Sequence, residues 1–265
     1  MYAILIDVTK CVGCELCAQA CVETNGLNQS RANVDRVTSP DGLSADRLST
    51  VLKVSDGHFA KKSCMHCLEP SCVSACLVGG ITKRPDGPVV YDPSKCIGCR
   101  YCMLACPFHI PRYEWHERNP YMKKCAMCFS RIDSGQLPAC VEACPNKALI
   151  FGERSELLKQ AHDTIAKMPS RYQDHVWGEE EFGGTSVLYI SDVDLEKLNW
   201  PHFEATSIPS LTVSLIEKTP FIGLGVATCL LGLSWIIKRR MQLSAEGSRG
   251  TERDNKSEEG EQGRE

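Results

Sequence analysis

Sixteen of the chain's seventeen cysteines fall into four groups of four, at positions 11 to 21, 64 to 76, 96 to 106 and 125 to 144. In "TKCVGCELCAQACVE" the thiols of Cys11, Cys14, Cys17 and Cys21 lie within eleven residues, one at every third position and a last one a helical turn later. Disulfide frameworks rarely cluster this way, and they belong to short secreted chains with a signal peptide. The opening "MYAILIDVTK" has only a short strand-like run and no basic leader, so no cleavable export signal is expected. With 265 residues, 43% apolar and 24% charged side chains, a globular structure with one or two cores is expected. The net charge of -3 gives no reason to expect a nucleic-acid partner.

The groups are of two kinds that alternate. "KCVGCELCAQAC" from Lys10 matches "KCIGCRYCMLAC" from Lys95, and each follows a short apolar strand, "AILIDVT" and "VVYDPS". "SCMHCLEPSCVSAC" and "KCAMCFSRIDSGQLPACVEAC" share the ending Cys-Val-x-Ala-Cys and differ in the loop between second and third cysteines. The first kind reads as strand, tight turn and short helix, because Cys17 and Cys21, like Cys102 and Cys106, are four apart and share a helical face. Between the groups of the second copy, Pro107 to Lys124 is a short connection. The connection in the first copy, Val22 to Ser63, has forty-two residues. Its turn formers and polar residues predict a surface excursion with a hairpin, used for a partner. Beyond the last cysteine, "RSELLKQAHDTIAKM" has helical apolar spacing and "GGTSVLYISDV" reads as a glycine-introduced strand.

Four thiolates at C-x2-C-x2-C-x3-C suit a cubane iron-sulfur cluster: three sulfurs wrap one cluster and the fourth faces a sister cluster. Zinc also takes C-x2-C pairs, but its sites use two separated pairs rather than this run. Ligation by cysteine alone leaves no iron position for substrate, so the chemistry available is one-electron transfer. No phosphate-binding glycine loop, nucleophile motif or His-Glu metal-protease pattern supplies a second activity.

These residues resemble the four-cluster, ferredoxin-like electron-transfer subunits of membrane-bound molybdenum or tungsten oxidoreductases and of one class of nickel-iron hydrogenase. The resemblance is carried by "CMHCLEPSCVSAC", "CIGCRYCMLACPFHIPRY", "KCAMCFSRIDSGQLPACVEACPNKALIFG" and "GGTSVLYI", and covers nearly the whole chain. It implies four 4Fe-4S clusters. The family's pairing, carried onto matching positions, gives Cys11, Cys14, Cys17 and Cys144 to one cluster and Cys125, Cys128, Cys140 and Cys21 to its neighbour. The second pair would use Cys64, Cys67, Cys72 and Cys106, and Cys96, Cys99, Cys102 and Cys76. Val22 and Leu77 follow the fourth cysteines where the bacterial ferredoxin run has proline, while Pro107 and Pro145 keep it. The expected fold class is therefore α+β, with two interlocked two-cluster ferredoxin-like modules over 1–152 and appended, partner-contacting elements over 153–210. The partners implied are a catalytic molybdenum/tungsten or nickel-iron subunit and an integral membrane, quinone-reactive subunit that usually holds haem. "RYCMLACPFHIPRYEW" and "GGTSVLYISDVDLEKLNWP" lean toward the hydrogenase branch.

Several residues admit a tuning role. Lys10, Lys95 and Lys124 each directly precede a first cysteine and Lys62 sits two before another. They either raise cluster potentials and order the loops or are solvated and screened. His66 lies inside a group that already has four thiolates, so packing or hydrogen bonding is expected of it, not ligation. Cys229 is alone in an apolar stretch and reads as a small hydrophobe.

That stretch, Thr219 to Ile237, runs nineteen residues without a charge, enough at about 1.5 Å per residue to cross a bilayer core as one transmembrane helix. Gly223, Gly225, Ala227 and Gly232 would let another membrane helix approach closely. Lys238, Arg239 and Arg240 follow it, which predicts a cytoplasmic C-terminus and a periplasmic cluster domain in a bacterial or archaeal membrane. The resemblance implies export of the folded subunit as a passenger on a catalytic partner with a twin-arginine signal. The charged segment 241–265 is expected to be disordered. A relay subunit is the leading functional reading. A self-sufficient enzyme is disfavoured by full ligation, and a diffusible ferredoxin by the apolar tail.

Overall fold

The first strand, β1 (Tyr2–Asp7), is apolar on both faces, and each face serves a different core. Ile4 and Ile6 point with Val8 into a core that contains Cys17, Cys64 and Cys140, while Ala3 and Leu5 point into a second core. The computed structural model describes residues 1–195 and 205–261. Residues 1 to 211 form one unit. Within it β1 is the middle of a three-stranded sheet, antiparallel to β8 (Leu149–Glu153) and parallel to β9 (Val187–Ile190). Helix α7 (Arg154–Lys167) covers the second core with Leu157, Ala161 and Ile165, spaced four apart on one face. The helix and strand expected as additions after residue 152 are thus built into the same body, since β9 extends the sheet of β1.

The internal repeat is visible in the local structure. After β1, Asp7 accepts the N–H of Thr9 at 3.1 Å and caps a single 3-10 turn that delivers Cys11. After β5 (Val89–Tyr91), Asp92 accepts the N–H of Ser94 at 3.0 Å and caps the equivalent turn before Cys96. Short helices follow at the matching places, α1 (Leu16–Thr24) and α4 (Tyr101–Ala105). Strand β5 pairs antiparallel with β4 (Ile81–Lys83), which follows the second cysteine group. Likewise β1 pairs with β8, which follows the fourth group. The second and fourth cysteine groups carry the single-turn helices α3 (Ser71–Ser74), α5 (Phe129–Asp133) and α6 (Ala139–Glu142).

The long connection differs from the expectation. It does contain a hairpin, β2 (Thr50–Ser55) and β3 (His58–Lys62), and also the helix α2 (Gln29–Thr38), which the polar composition hid. It is no surface excursion, because Leu43, Arg47, Leu48, Ser49, Ala60, Lys61 and Lys62 are all buried. Polar residues are tolerated inside because they are paired. Arg47 meets Glu15 at 3.0 Å, Arg31 meets Asp46 at 2.6 Å, and Asp41 receives both Arg112 at 2.6 Å and Lys62 at 3.3 Å. The hairpin also explains Gly13: with φ of 73°, an added Cβ would lie 2.8 Å from the Phe59 ring.

Residues 212 to 265 form the second unit, dominated by the helix α8 (Ser210–Glu261). Its Ser210–Ser244 part is long and apolar enough to cross a membrane, and contains the predicted 219–237 span. Phe221, Leu224, Leu231 and Trp235 are exposed along it. Pro220 lies inside the helix, where it removes the donor that the carbonyl of Ile216 would otherwise receive. The helix continues to Glu261 where disorder was expected from 241 onward. Glu, Lys, Arg, Gln and Ala in that segment favour helix intrinsically, and extension of an existing helix needs no new nucleus.

Candidate metal centres

Three cavities are each ringed by four cysteines. The first is lined by Cys11, Cys14, Cys17 and Cys144, with Val12 and Lys61. The second is lined by Cys21, Cys125, Cys128 and Cys140, with Lys61, Cys64 and His66 in its wall. The third is lined by Cys76, Cys96, Cys99 and Cys102, with Tyr91, Ile97 and Tyr113. The remaining four also lie together: burial, then the charges of Cys64, Cys106 and Cys72, push the Cys67 thiol well up. In every set, three cysteines of one group are joined by one from a distant group.

Among the described residues, no three His, Cys, Asp or Glu side chains stand close enough to share one metal ion. The thiols instead surround spaces wide enough for a group of several atoms, and an all-thiolate donor set is that of an iron-sulfur cubane rather than a hard cation. The residues present fit 4Fe-4S clusters.

Backbone geometry aims N–H groups at the sulfurs. The second residue after each first cysteine has positive φ: Gly13 at 73°, Gly98 at 69°, His66 at 49° and Met127 at 56°. This turns the N–H of Gly98 toward Cys96 Sγ at 3.4 Å and that of Met127 toward Cys125 Sγ at 3.4 Å. The last cysteines are served from four residues on, by Gly80 N–H to Cys76 Sγ at 3.2 Å and Ala148 N–H to Cys144 Sγ at 3.3 Å. Such donors favour the thiolate. Burial opposes it, pushing Cys72 and Cys140 up to about 12 and Cys106 to about 11. These thiols therefore stay protonated in water at neutral pH, and it is metal binding that displaces their protons into the solvent.

Buried and half-buried ammonium groups supply compensating charge to the thiols, and of the four lysines the spacing singled out only Lys124 is among them. Lys10 and Lys95 are exposed, paired to Asp7 at 2.9 Å and Asp92 at 3.6 Å. Lys62 is turned to Asp41. Of the four, Lys124 is buried beside the thiols, its Nζ donating to the carbonyls of Val89 and, at 3.0 Å, Cys125. Two others were missed. Lys61 is 3% exposed, lines both the first and second cavities, and donates to Ser63 Oγ at 2.7 Å. Burial works to lower its pKa, but the charges of Cys140, Cys125 and Cys17 outweigh it and hold the ammonium charged. Lys83 reaches the His66 carbonyl at 2.9 Å, and burial lowers it to about 8 against the pull of Cys67 and Cys64. The signal for Lys61 was present: two adjacent lysines ending "HFAKK" break the alternation of an exposed strand.

His66 is 1% exposed. Its Nδ1 accepts the N–H of Val89 at 2.9 Å. Burial, then Lys124, Lys83 and Lys61, hold its pKa well below the usual histidine range. Cys229 is exposed on α8.

Comparison with known proteins converges on this chemistry. A family model described as a 4Fe-4S dicluster domain matches residues 55–154. A protein of Nitratidesulfovibrio vulgaris is 42% identical over 256 residues, covering 92% of this chain and 69% of its own length. The hydrogenase-2 operon protein HybA of Escherichia coli is 33% identical over 280 residues, covering 89% of this chain and 83% of the relative. The iron-sulfur subunit of the nitrate-inducible formate dehydrogenase of Escherichia coli is 38% identical over 198 residues, covering 70% of this chain and 66% of the relative. With four-cysteine cavities of the matching chemistry, the chain belongs to the family of ferredoxin-type 4Fe-4S subunits that includes HybA and the formate dehydrogenase iron-sulfur subunits.

Proposed function

We propose that the chain is an electron-transfer subunit carrying four 4Fe-4S clusters in line, between a catalytic subunit of hydrogenase or formate dehydrogenase type and a quinone-linked membrane subunit. Bound clusters supply one-electron transfer and nothing more, because cysteine fills every protein-side position. The sixteen cysteines hold them in the four sets described, so each pair of groups, first with fourth and second with third, makes an interlocked module. The observation that carries the reading is the succession of sets. The charge of Cys17 acts on Cys140, that of Cys125 on Cys64, and that of Cys102 on Cys72, linking the set of Cys11 to that of Cys125, that of Cys125 to that of Cys64, and that of Cys64 to that of Cys96. Cys14 at one end of this row and Cys99 at the other are exposed, as terminal donors and acceptors require. The N–H groups and buried lysines around the sulfurs hold the thiolates without admitting substrate. Purified anaerobically with its partners, the chain is expected to hold about sixteen irons and sixteen sulfides, four per cubane. Zinc in their place, or half that iron at full occupancy, would refute it.

The apolar part of α8 makes membrane anchoring the function of the second unit. Lys238, Arg239 and Arg240 set the C-terminus in the cytoplasm and the cluster-bearing unit on the opposite, periplasmic side. A fluorescent-protein fusion at the C-terminus, which matures only in the cytoplasm, is expected to glow. A dark fusion with normal membrane content would reverse the orientation.

A further inference from the structure

The second cavity has a donor in its wall that the thiol sets leave unexplained. Nε2 of His66 is buried and has no hydrogen-bond partner, although a buried polar nitrogen without a partner costs about 1–3 kcal/mol. The proton's place follows from geometry: Nδ1 accepts the N–H of Val89 at 2.9 Å, so Nδ1 carries no hydrogen and Nε2 carries it. The ring is fixed from three sides. Strand β5 holds it through Val89, the His66 carbonyl accepts Lys83 Nζ at 2.9 Å and Ser186 N–H at 3.2 Å, and the residue is 1% exposed. Its backbone has φ of 49°, at a position that is glycine, Gly13 and Gly98, in the first and third cysteine groups, so the site bears some strain to keep an imidazole there. Val89 also accepts Lys124 through its carbonyl, so one residue orients both an N–H donor and an ammonium.

Resting on the four-cluster reading above, we propose that His66 Nε2–H donates a hydrogen bond to a sulfur of the cluster held by Cys21, Cys125, Cys128 and Cys140, and thereby sets the potential at the junction between the two halves of the row. Sulfur is the acceptor that the cavity offers in number: its lining carries those four thiols and Cys64, a ligand of the next set, while of its two hydroxyls Ser63 Oγ already accepts Lys61 and Ser49 Oγ makes no bond to His66. A donor to a cluster sulfur stabilises the reduced, more negative state, so it raises the potential. His66 is a positioning residue for the electron rather than a ligand.

The test is made on the whole complex with His66→Phe, which keeps the ring volume and removes the donor, and His66→Gln, whose amide N–H reaches to the same place. In a redox titration followed by electron paramagnetic resonance, His66→Phe is expected to shift the oxidised-to-reduced ratio of one cluster about tenfold toward oxidised at fixed potential, a fall of about 59 mV for a one-electron couple. The other three clusters should hold, and His66→Gln should recover most of the shift. The responding signal should be the one altered by Cys128→Ser. No shift at full iron content, a uniform shift of all four clusters, or a response confined to the set of Cys64, Cys67, Cys72 and Cys106 would overturn the proposal while leaving the electron-transfer reading intact. If His66→Phe fails to fold, wild-type protein with 15N-labelled histidine decides. A nitrogen and an exchangeable proton coupled to that reduced cluster support the bond, and their absence refutes it. Loss of clusters from wild-type protein would instead refute the reading beneath it.

Discussion

Lys61→Met is expected to lower the midpoint potentials of two clusters and leave the other two nearly unmoved. Lys61 is the one side chain among the described residues that lines both the first and second cavities with a cationic group, and at 3% exposure it is hardly screened by solvent. Reduction adds a negative charge beside it, and a unit charge a few ångströms away at an effective dielectric near 20 is worth about 2–4 kcal/mol. For a one-electron couple that is a fall on the order of 100 mV. Methionine keeps the length of the stem, so packing of β3 against Tyr189, whose hydroxyl donates to the Lys61 carbonyl at 2.9 Å, should survive. Lys10→Gln and Lys95→Gln, which remove exposed charges, are the contrast and should move potentials little. Equal shifts from the buried and the exposed lysines would show that burial has no part in the tuning.

Glu15→Ala is the second large effect, and it falls on stability. Arg47, 1% exposed, comes from the long connection to meet Glu15 at 3.0 Å in the turn between Cys14 and Cys17. Removing the carboxylate leaves a buried guanidinium without its counter-charge, a loss of about 3–5 kcal/mol, where an exposed pair would cost under about 1 kcal/mol. The urea concentration at which cluster absorbance bleaches should drop markedly. The double variant Glu15→Ala/Arg47→Met should recover most of that drop, because the orphaned charge goes with its partner. If the double variant is no better than the single one, the pair's charges are not what holds this turn.

The cysteine groups, their alternation and their preceding strands were legible because a fixed spacing of thiols has few other uses. "KCVGCELCAQAC" and "KCIGCRYCMLAC" alone announced the repeated strand, turn and helix, and the helix after residue 153 followed from its apolar period. The interior of Val22–Ser63 was not legible. Arg47, Asp46, Lys61 and Lys62 are residues whose composition argues for solvent, and only their partners, Glu15, Arg31, Asp41 and the thiols, make burial affordable; those partners lie from fifteen residues away, for Asp46 and Arg31, to seventy-nine, for Lys61 and Cys140. The same limit hid the part played by His66. Its motif said that it was not a ligand, but the free nitrogen becomes visible only once Val89, twenty-three positions later, is seen to occupy the other one.

The strand order has a consequence for how the molecule is made. Strand β1 is synthesised before both its neighbours, β8 and β9, which follow residue 148, whereas β4 and β5 form a local hairpin complete at Tyr91. At translation rates of about 5–20 residues per second, the first four thiols wait on the order of 10–30 s for their sheet to close. Assembly therefore runs from the middle of the polypeptide outward, and the nascent N-terminal thiols need a reducing compartment or a guardian protein until the last strand arrives.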